Sequence, residues 1–382
     1  MPRVLIVAGD PSGDLYGSLL VRALRRVRRD LRADAVGGPL TREALTAGDN
    51  FHYDLASLGV TGFIAPVRKI PTFLALHRKL KTLLSRRTYD AVICIDFYGF
   101  NRYILSAAKQ AGIPAFYFIS PQVWATRSGR IRHIKECVER MLVIFPFEEE
   151  IYRQAGVPVS WVGHPLLDVL PRPNRHQPSK KLRLGILPGS RSTEVRRHLP
   201  VMLKAAARIR QDFPHVEATV FAVPQLPDEL YAQRMRRGPA AALSAALVRE
   251  SDYAQRARQD FILTSSGTAT LENALLGIPM IVIYKMAWPT YLIARSLIRV
   301  PHIAMTNILA GREIVPELIQ HHATAEKIAT TALKMLGAPR RLQELRHRLA
   351  ALRDKLGGPG AIDRAAEILL AAVEAGAEKR PA

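Results

Sequence analysis

The chain has 382 residues, 48% of them hydrophobic and 23% charged, too many for one compact core, so two domains of ordinary size are expected. Two cysteines exclude a disulfide framework and make cytoplasmic residence the default. The excess of 55 Lys+Arg over 33 Asp+Glu, a formal charge of +22, calls for an anionic partner: nucleic acid, an anionic membrane surface or a phosphate-bearing substrate.

The opening "MPRVLIVAGD" reads as a buried strand, too short in its apolar run for a signal peptide. A Gly-containing turn, "DPSGDLYGS", leads to a helix in which Leu15, Leu19, Ala23, Val27 and Leu31 recur at helical spacing. The strand–turn–helix rhythm of a parallel α/β sheet returns at "YDAVICID", "AFYFIS", "RMLVIFP" and "VSWVG". Helices ending in Gly-(Ile/Val)-Pro at 112–114, 156–158 and 277–279 stop where glycine caps and proline forbids continuation. The basic, proline-rich Pro171–Lys181 reads as a linker. The pattern then restarts with "LRLGILPGS", a helix with Pro200 expected near its start, and the strands "EATVFAV", "FILTSS" and "PMIVIY". Pro224–Asp260 has no assignable pattern, and the last residues read as helices. The predicted fold class is α/β, with two doubly wound domains at 1–170 and 182–335, joined by 171–181 and followed by helices at 336–382. No apolar run is long enough to span a bilayer.

Ligands of open α/β sheets bind beyond the C-terminal strand ends. In the second half two such turns stand out: Gly189, Ser190, Arg191 and Glu194 of "PGSRSTE", and Ser265, Ser266, Gly267, Thr268, Ala269, Thr270 and Glu272 of "SSGTATLE". Helix capping by hydroxyls explains one such loop. Two in one half, one carrying an arginine that can grip phosphate through parallel hydrogen bonds, point to a diphosphate site. Glu272 is either a first-turn acid complementing the helix dipole or an acceptor for ribose hydroxyls. In the first half, "AGDPSGDLYG" offers Asp10, Ser12, Gly13 and Asp14; its carboxylates suit a sugar acceptor better than a pyrophosphate. "ICIDFYGFN" supplies Asp96 and Asn101, "ISPQVWATRSGR" supplies Trp124 with Arg127 and Arg130, and "WVGHPLLD" supplies His164. There is no Asp-x-Asp and no Cys/His cluster with ligand spacing, so no metal or cofactor is expected. The basic, apolar-rich Leu55–Leu84 is either a core helix with a solvated edge or a contact with an anionic bilayer, and the net charge favours the bilayer. Nucleic acid is not expected, because no stacking aromatics are interleaved with the basic residues.

The motifs "AGDPSGDLYG", "ISPQVWA", "FPFE", "VGHPLLD", "LPGSRSTEV", "SSGTATLE" and "TNILAGREIVPELIQ", in this order, resemble lipid-A-disaccharide synthase from the first strand to about residue 320. The resemblance implies a GT-B glycosyltransferase with two Rossmann-like domains facing across a cleft. It implies inverting transfer of diacylglucosamine from UDP-2,3-diacylglucosamine to the 6-hydroxyl of 2,3-diacylglucosamine 1-phosphate, giving the β-1,6 disaccharide and UDP. It also implies peripheral association with the cytoplasmic face of the inner membrane, and it leaves a homodimer open. Carried over, Arg191 and the Ser265–Thr270 turn face the UDP phosphates and Glu272 the ribose. Asn307, Arg312 and Glu313 of "NILAGRE" fall near the donor site. Two positions depart from the family pattern. Asp10 stands where Glu is common, and Gly99, after Tyr98, stands where the family often has the aspartate proposed as general base. Asp96, Asp10 and Asp14 are the remaining carboxylates, with Asp96 favoured. The alternatives are another GT-B enzyme using UDP-N-acetylglucosamine, or a degenerate homologue that binds anionic lipid without catalysis.

Overall fold

The computed structural model describes residues 1–58, 70–126, 129–173, 181–249, 253–288, 290–292 and 300–378. Two units emerge, Met1–Asp168 with Leu356–Ala382, and Val169–Lys355.

The first unit is built on β1 (Arg3–Ala8), β2 (Arg32–Gly37), β3 (Phe51–Asp54), β4 (Ala91–Ile95), β5 (Ala115–Phe118), β6 (Arg140–Val143) and β7 (Val159–Trp161), in the spatial order β3-β2-β1-β4-β5-β6-β7. Every neighbouring pair is parallel. The central strands read as near-continuous apolar runs because helices cover both faces: all five residues of β4 are buried. The second unit repeats the plan with β8 (Leu182–Leu187), β9 (Val216–Ala222), β10 (Ala246–Arg249), β11 (Phe261–Ser265), β12 (Met280–Tyr284) and β13 (Glu317–Ile319), ordered β10-β9-β8-β11-β12-β13 and again parallel throughout. In both sheets the strand order reverses beside the first strand, between β1 and β4 and between β8 and β11. This is the doubly wound arrangement expected from the sequence.

Gly112, Gly156 and Gly277 all take positive φ (67°, 69° and 71°) just past their helices, as the Gly-(Ile/Val)-Pro pattern predicts. Other expectations are corrected. The helix Pro11–Val27 buries Leu20, Val21, Ala23 and Leu24, whereas Leu15 and Leu19 are only half-buried and Val27 is 55% exposed. The face is broader than a single stripe because the last helix of the chain packs on it as well as the sheet. Pro200 lies well inside the helix Ser192–Asp212, not at its start. β2, β3, β10 and β13 escaped the pattern reading: β3, β10 and β13 are only three or four residues long and lie at sheet edges, and β2, next to an edge, is interrupted by Asp34. In the stretch 224–260, two short helices (Glu229–Met235 and Pro239–Leu243) and β10 take the place of an unassigned loop.

The terminal helices divide. Ala325–Leu336 and Pro339–Ala350 belong to the second unit, while Ala361–Glu378 belongs to the first. The last helix is held there by Arg364 Nε donating to the Val162 carbonyl (2.8 Å), by Ile362 N donating to Asp168 (3.1 Å), and by an Arg28–Glu374 ion pair.

Candidate active site

In the first unit the strand-order reversal brings the ends of β1 and β4 together, with Ala8 opposite Ile95. Asp10 follows β1 and caps the helix Pro11–Val27, its Oδ1 accepting from Gly13 N at 2.6 Å. Ser12 sits half-buried in the same first turn. Asp96 and Phe97 follow β4 and both adopt left-handed backbone, at φ 44° and 43°. Such non-glycine conformations are costly and persist where the surroundings enforce them. Here the Asp96 carbonyl accepts from Asn101 Nδ2 (2.8 Å) and from the Tyr117 hydroxyl, while Asp96 N donates to the Phe118 carbonyl (3.1 Å). The turn lays the Phe97 ring over Gly9, where any Cβ would come within 2.0 Å of ring carbon. Burial, then the charges of Asp10 and Glu148, push the Asp96 carboxyl well above its usual range, with Arg130 pulling the other way.

Not every first-half candidate reaches reacting atoms. Asp14 is buried and its oxygens accept from Gly38 N (2.8 Å), Leu40 N (3.1 Å) and Thr41 N (2.8 Å), so it is committed to holding the helix Pro39–Ala44. Asn101 is fully buried and ties the ends of β1 and β4 through the carbonyls of Val7, Ile95 and Asp96. His164 is buried, and its Nδ1 accepts from Leu166 N at 3.1 Å; burial pulls its imidazole down to about 3, so it stays neutral. The Asp14 carboxylate, Asn101 Nδ2 and His164 Nδ1 are thus spent on the protein's own backbone. Trp124 is half-buried, its Nε1 donating to Glu148 at 3.2 Å and its ring edge-on to Phe147. Arg127 lies outside the described residues. Gly99 is exposed in the first turn of the helix Tyr98–Ala111, with nothing within 4 Å of an added Cβ.

In the second unit β8 and β11 are neighbours, Leu187 opposite Thr264, so the turns after them emerge side by side. Gly189 has φ 120° and lies against Glu194, leaving only 2.5 Å between a Cβ and the carboxylate. Glu194 accepts from Ser190 N (3.1 Å) and from Arg191 Nη1 (2.7 Å), fixing the loop and the guanidinium together. His198, which sequence reading missed, is fully buried one helical turn further on. Its Nδ1 donates to the Pro188 carbonyl (2.9 Å) and its Nε2 accepts from Lys285 N (2.9 Å), linking the ends of β8 and β12.

After β11, Gly267 takes φ 142° and precedes the helix Thr268–Leu275; Gly267 and Thr268 are exposed, Ser265 and Thr270 buried. Ser266 Oγ donates to the Ile303 carbonyl (2.9 Å), Thr270 Oγ1 to the Gly267 carbonyl (2.8 Å) and Thr306 Oγ1 to the Thr270 carbonyl (2.7 Å). Several hydroxyls of this turn therefore hold its shape, and Gly267 and Thr268 of the first turn remain exposed. Glu272 accepts from Tyr253 Oη (3.2 Å) and is ion-paired with Arg256, itself stacked on Tyr253. Asn307 is corrected from ligand to scaffold: fully buried, it donates to the Val315 carbonyl (2.9 Å) and Glu317 (2.8 Å) and accepts from Ile314 N (2.9 Å) and Val315 N (3.0 Å). Arg312 and Glu313 are exposed. Glu148, His198, Arg256 and Glu317 escaped the reading because their partners lie far away in sequence or on the backbone, and only a burial signal would have found them.

The family model described as LpxB, lipid-A-disaccharide synthetase, matches residues 4–372. Relatives named lipid-A-disaccharide synthase include one from Syntrophus aciditrophicus, 42% identical over 379 residues, covering 97% of this chain and 98% of its own. Another, from Geobacter metallireducens, is 40% identical over 377 residues, covering 96% of each. Among solved structures, UDP-GlcNAc 2-epimerase from Neisseria meningitidis bound to UDP-GlcNAc aligns at TM-score 0.63 with 12% identity, over 97% of this chain and all of that one. MurG of Acinetobacter baumannii aligns at TM-score 0.58 with 16% identity, over 97% and 100%. At such identities the structural likeness speaks for the fold alone.

Proposed function

Because the chain belongs to the lipid-A-disaccharide synthase family of UDP-sugar glycosyltransferases, we propose that it joins UDP-2,3-diacylglucosamine to 2,3-diacylglucosamine 1-phosphate. The acceptor O6 attacks the anomeric carbon of the donor with inversion. The bond from that carbon to the phosphate oxygen breaks, its electron pair leaves with UDP, and the O6 proton passes to a carboxylate.

The observation that carries this reading is the adjacency of β8 and β11, which sets the Pro188–Arg191 and Ser265–Thr268 turns next to each other at a strand-order reversal. Two helix N-termini and the Arg191 guanidinium then stabilise the charge on the departing diphosphate. Glu272 keeps lone pairs for ribose hydroxyls, and its bonds to Arg256 and Tyr253 hold it still. In the first unit Asp96 is the proposed proton acceptor: it sits half-buried at the reversal, and its raised proton affinity makes its carboxylate form, which gains population as pH rises towards about 8, a stronger base. We assign Asp10 to shaping that turn.

Membrane association is proposed on the helix Ile70–Ser85. It buries Leu76, Leu80 and Leu84, exposes Ile70 (44%) and Leu74 (50%), and surrounds them with exposed Arg78, Lys79 and Lys81. No helix among the described residues is long and apolar enough to cross a membrane. Residues 59–69 of the expected contact lie outside the description.

The test is incubation of purified protein with both substrates, following disaccharide and UDP. UDP binding without product would favour the non-catalytic alternative, and epimerisation of UDP-N-acetylglucosamine would favour another activity of the fold.

A further inference from the structure

The C-terminal edge of the first sheet carries one more carboxylate than the reaction above uses. Glu148 begins the helix Pro146–Gln154 after β6 and is 2% exposed. One oxygen accepts from Trp124 Nε1 (3.2 Å) and the other from Phe145 N (3.2 Å). The indole it holds stands edge-on to Phe147, with ring centroids 5.3 Å apart, and Phe147 stacks on Phe145 at 5.5 Å. β4, β5 and β6 are consecutive in the sheet, so Asp96, the Ser120–Trp124 segment and Glu148 follow one another along the same edge.

A carboxylate needed only to close a first helical turn works at the surface, and burying one costs free energy unless its bonds are fixed. We propose that Glu148 is a positioning residue for the acceptor: held between the Trp124 indole and the Phe145 backbone, it orients the Trp124 ring towards the acceptor and sets the electrostatic field in which Asp96 works. The inference rests on the proposed transferase reading of this edge.

The titratable surroundings agree. Burial pushes the Glu148 carboxyl up to about 7, opposed by its bonds to Phe145 and Trp124. The titratable groups its charge reaches are Asp96 and the Tyr152 hydroxyl on its own helix, on which Arg130 also acts, and His164, neutral by burial, lies across the Phe145 ring; Asp10 acts on Asp96. Tyr152 and Ser120 share a hydrogen bond of 2.8 Å beside it. A negative charge on Glu148 raises the proton affinity of Asp96, after the larger effects of burial and of Asp10.

The test compares wild type with Glu148→Gln, which keeps the shape and drops the charge, and Trp124→Phe, which keeps an aromatic ring and drops the N–H. Three quantities are read against pH: kcat/KM for the acceptor, calorimetric binding of 2,3-diacylglucosamine 1-phosphate, and tryptophan emission. In Glu148→Gln the acid limb of kcat/KM is expected to move down by about half a pH unit or more, about three-fold in proton concentration, with UDP affinity within about two-fold of wild type. Wild-type emission should titrate near neutral pH, and that titration should vanish in both variants. An unmoved acid limb with emission titrating alike in all three proteins overturns the proposal. Should wild type form no disaccharide, the transferase reading falls by itself. Emission and acceptor affinity then decide the proposal: both titrating in wild type and flat in Glu148→Gln sustains it, and acceptor affinity indifferent to Glu148→Gln overturns it.

Discussion

The Glu194 carboxylate lies 2.7 Å from the Arg191 guanidinium, across one turn of the helix Ser192–Asp212. The same carboxylate receives Ser190 N and lies against Gly189, so one acid sets the loop and the cation in a single geometry. Replacing Arg191 by Ala is expected to weaken UDP binding about ten- to a hundred-fold, the worth of a charge-assisted hydrogen bond of roughly 1.5–3 kcal/mol. Arg191→Lys should recover only part, because an ammonium lacks the planar fork. Calorimetric titration of UDP checks both; unchanged affinity in Arg191→Ala would remove the phosphate assignment.

His198 joins the loop after β8 to the chain after β12. Substitution by Ala strands the Pro188 carbonyl and Lys285 N in the interior, at a cost of about 2–4 kcal/mol. The expected result is a lower unfolding midpoint together with weaker UDP binding, and His198→Gln should restore part of each. Full UDP affinity in a destabilised His198→Ala protein would show that the loop keeps its shape without this link.

The two buried histidines contribute stability that is lost as pH drops below neutral, against the opposite contribution of the raised Asp96 and Glu148 carboxyls. His164 is pulled down to about 3 by burial, and burial lowers His198 too. An unfolded chain takes up those protons first, starting near the ordinary value of 6.5, so unfolding gains on folding as pH falls from there towards 3. His164 alone accounts for about 2 kcal/mol over the first one and a half pH units. Urea unfolding of wild type and His164→Gln at several pH values should differ by this slope, the variant losing less stability, or gaining more, as pH falls; identical slopes would contradict the neutral buried imidazole.

Gly99→Asp should be accepted by the fold. The position is exposed, with no atom within 4 Å of a new Cβ, and it lies in the first turn of a helix, where an anion gains about 0.3–1 kcal/mol. Thermal unfolding should show a midpoint no lower than wild type. A rise in kcat would mean that the new carboxylate shares the base role with Asp96, and a several-fold fall would mean that this end of the helix is needed uncharged.

The fold class was legible because the signals that specify it are local. Apolar runs such as "AVICI" read as strands buried on both faces, and Gly-(Ile/Val)-Pro marks the ends of three helices wherever they fold. The two turns proposed to hold the donor were legible for the same reason, since strand, turn and helix follow directly in the chain. Chain order put Gly189–Arg191 and Ser265–Thr268 at strand ends whatever the rest of the molecule does.

What only tertiary structure decided is which polar residues spend their bonds on the protein itself. Asp14, Asn101, His164 and Asn307 have the composition of ligand contacts, yet their partners are groups of the protein, backbone groups and, for Asn307, the Glu317 carboxylate as well. Their occupation follows from burial, which drives most polar groups to find a partner, Asn101 Oδ1 being an exception, and which no spacing along the chain records. The last helix makes the same point at larger scale: amphipathic residues declared it a helix, but the bonds of Arg364 and Ile362 placed it on the first unit rather than beside its sequence neighbours.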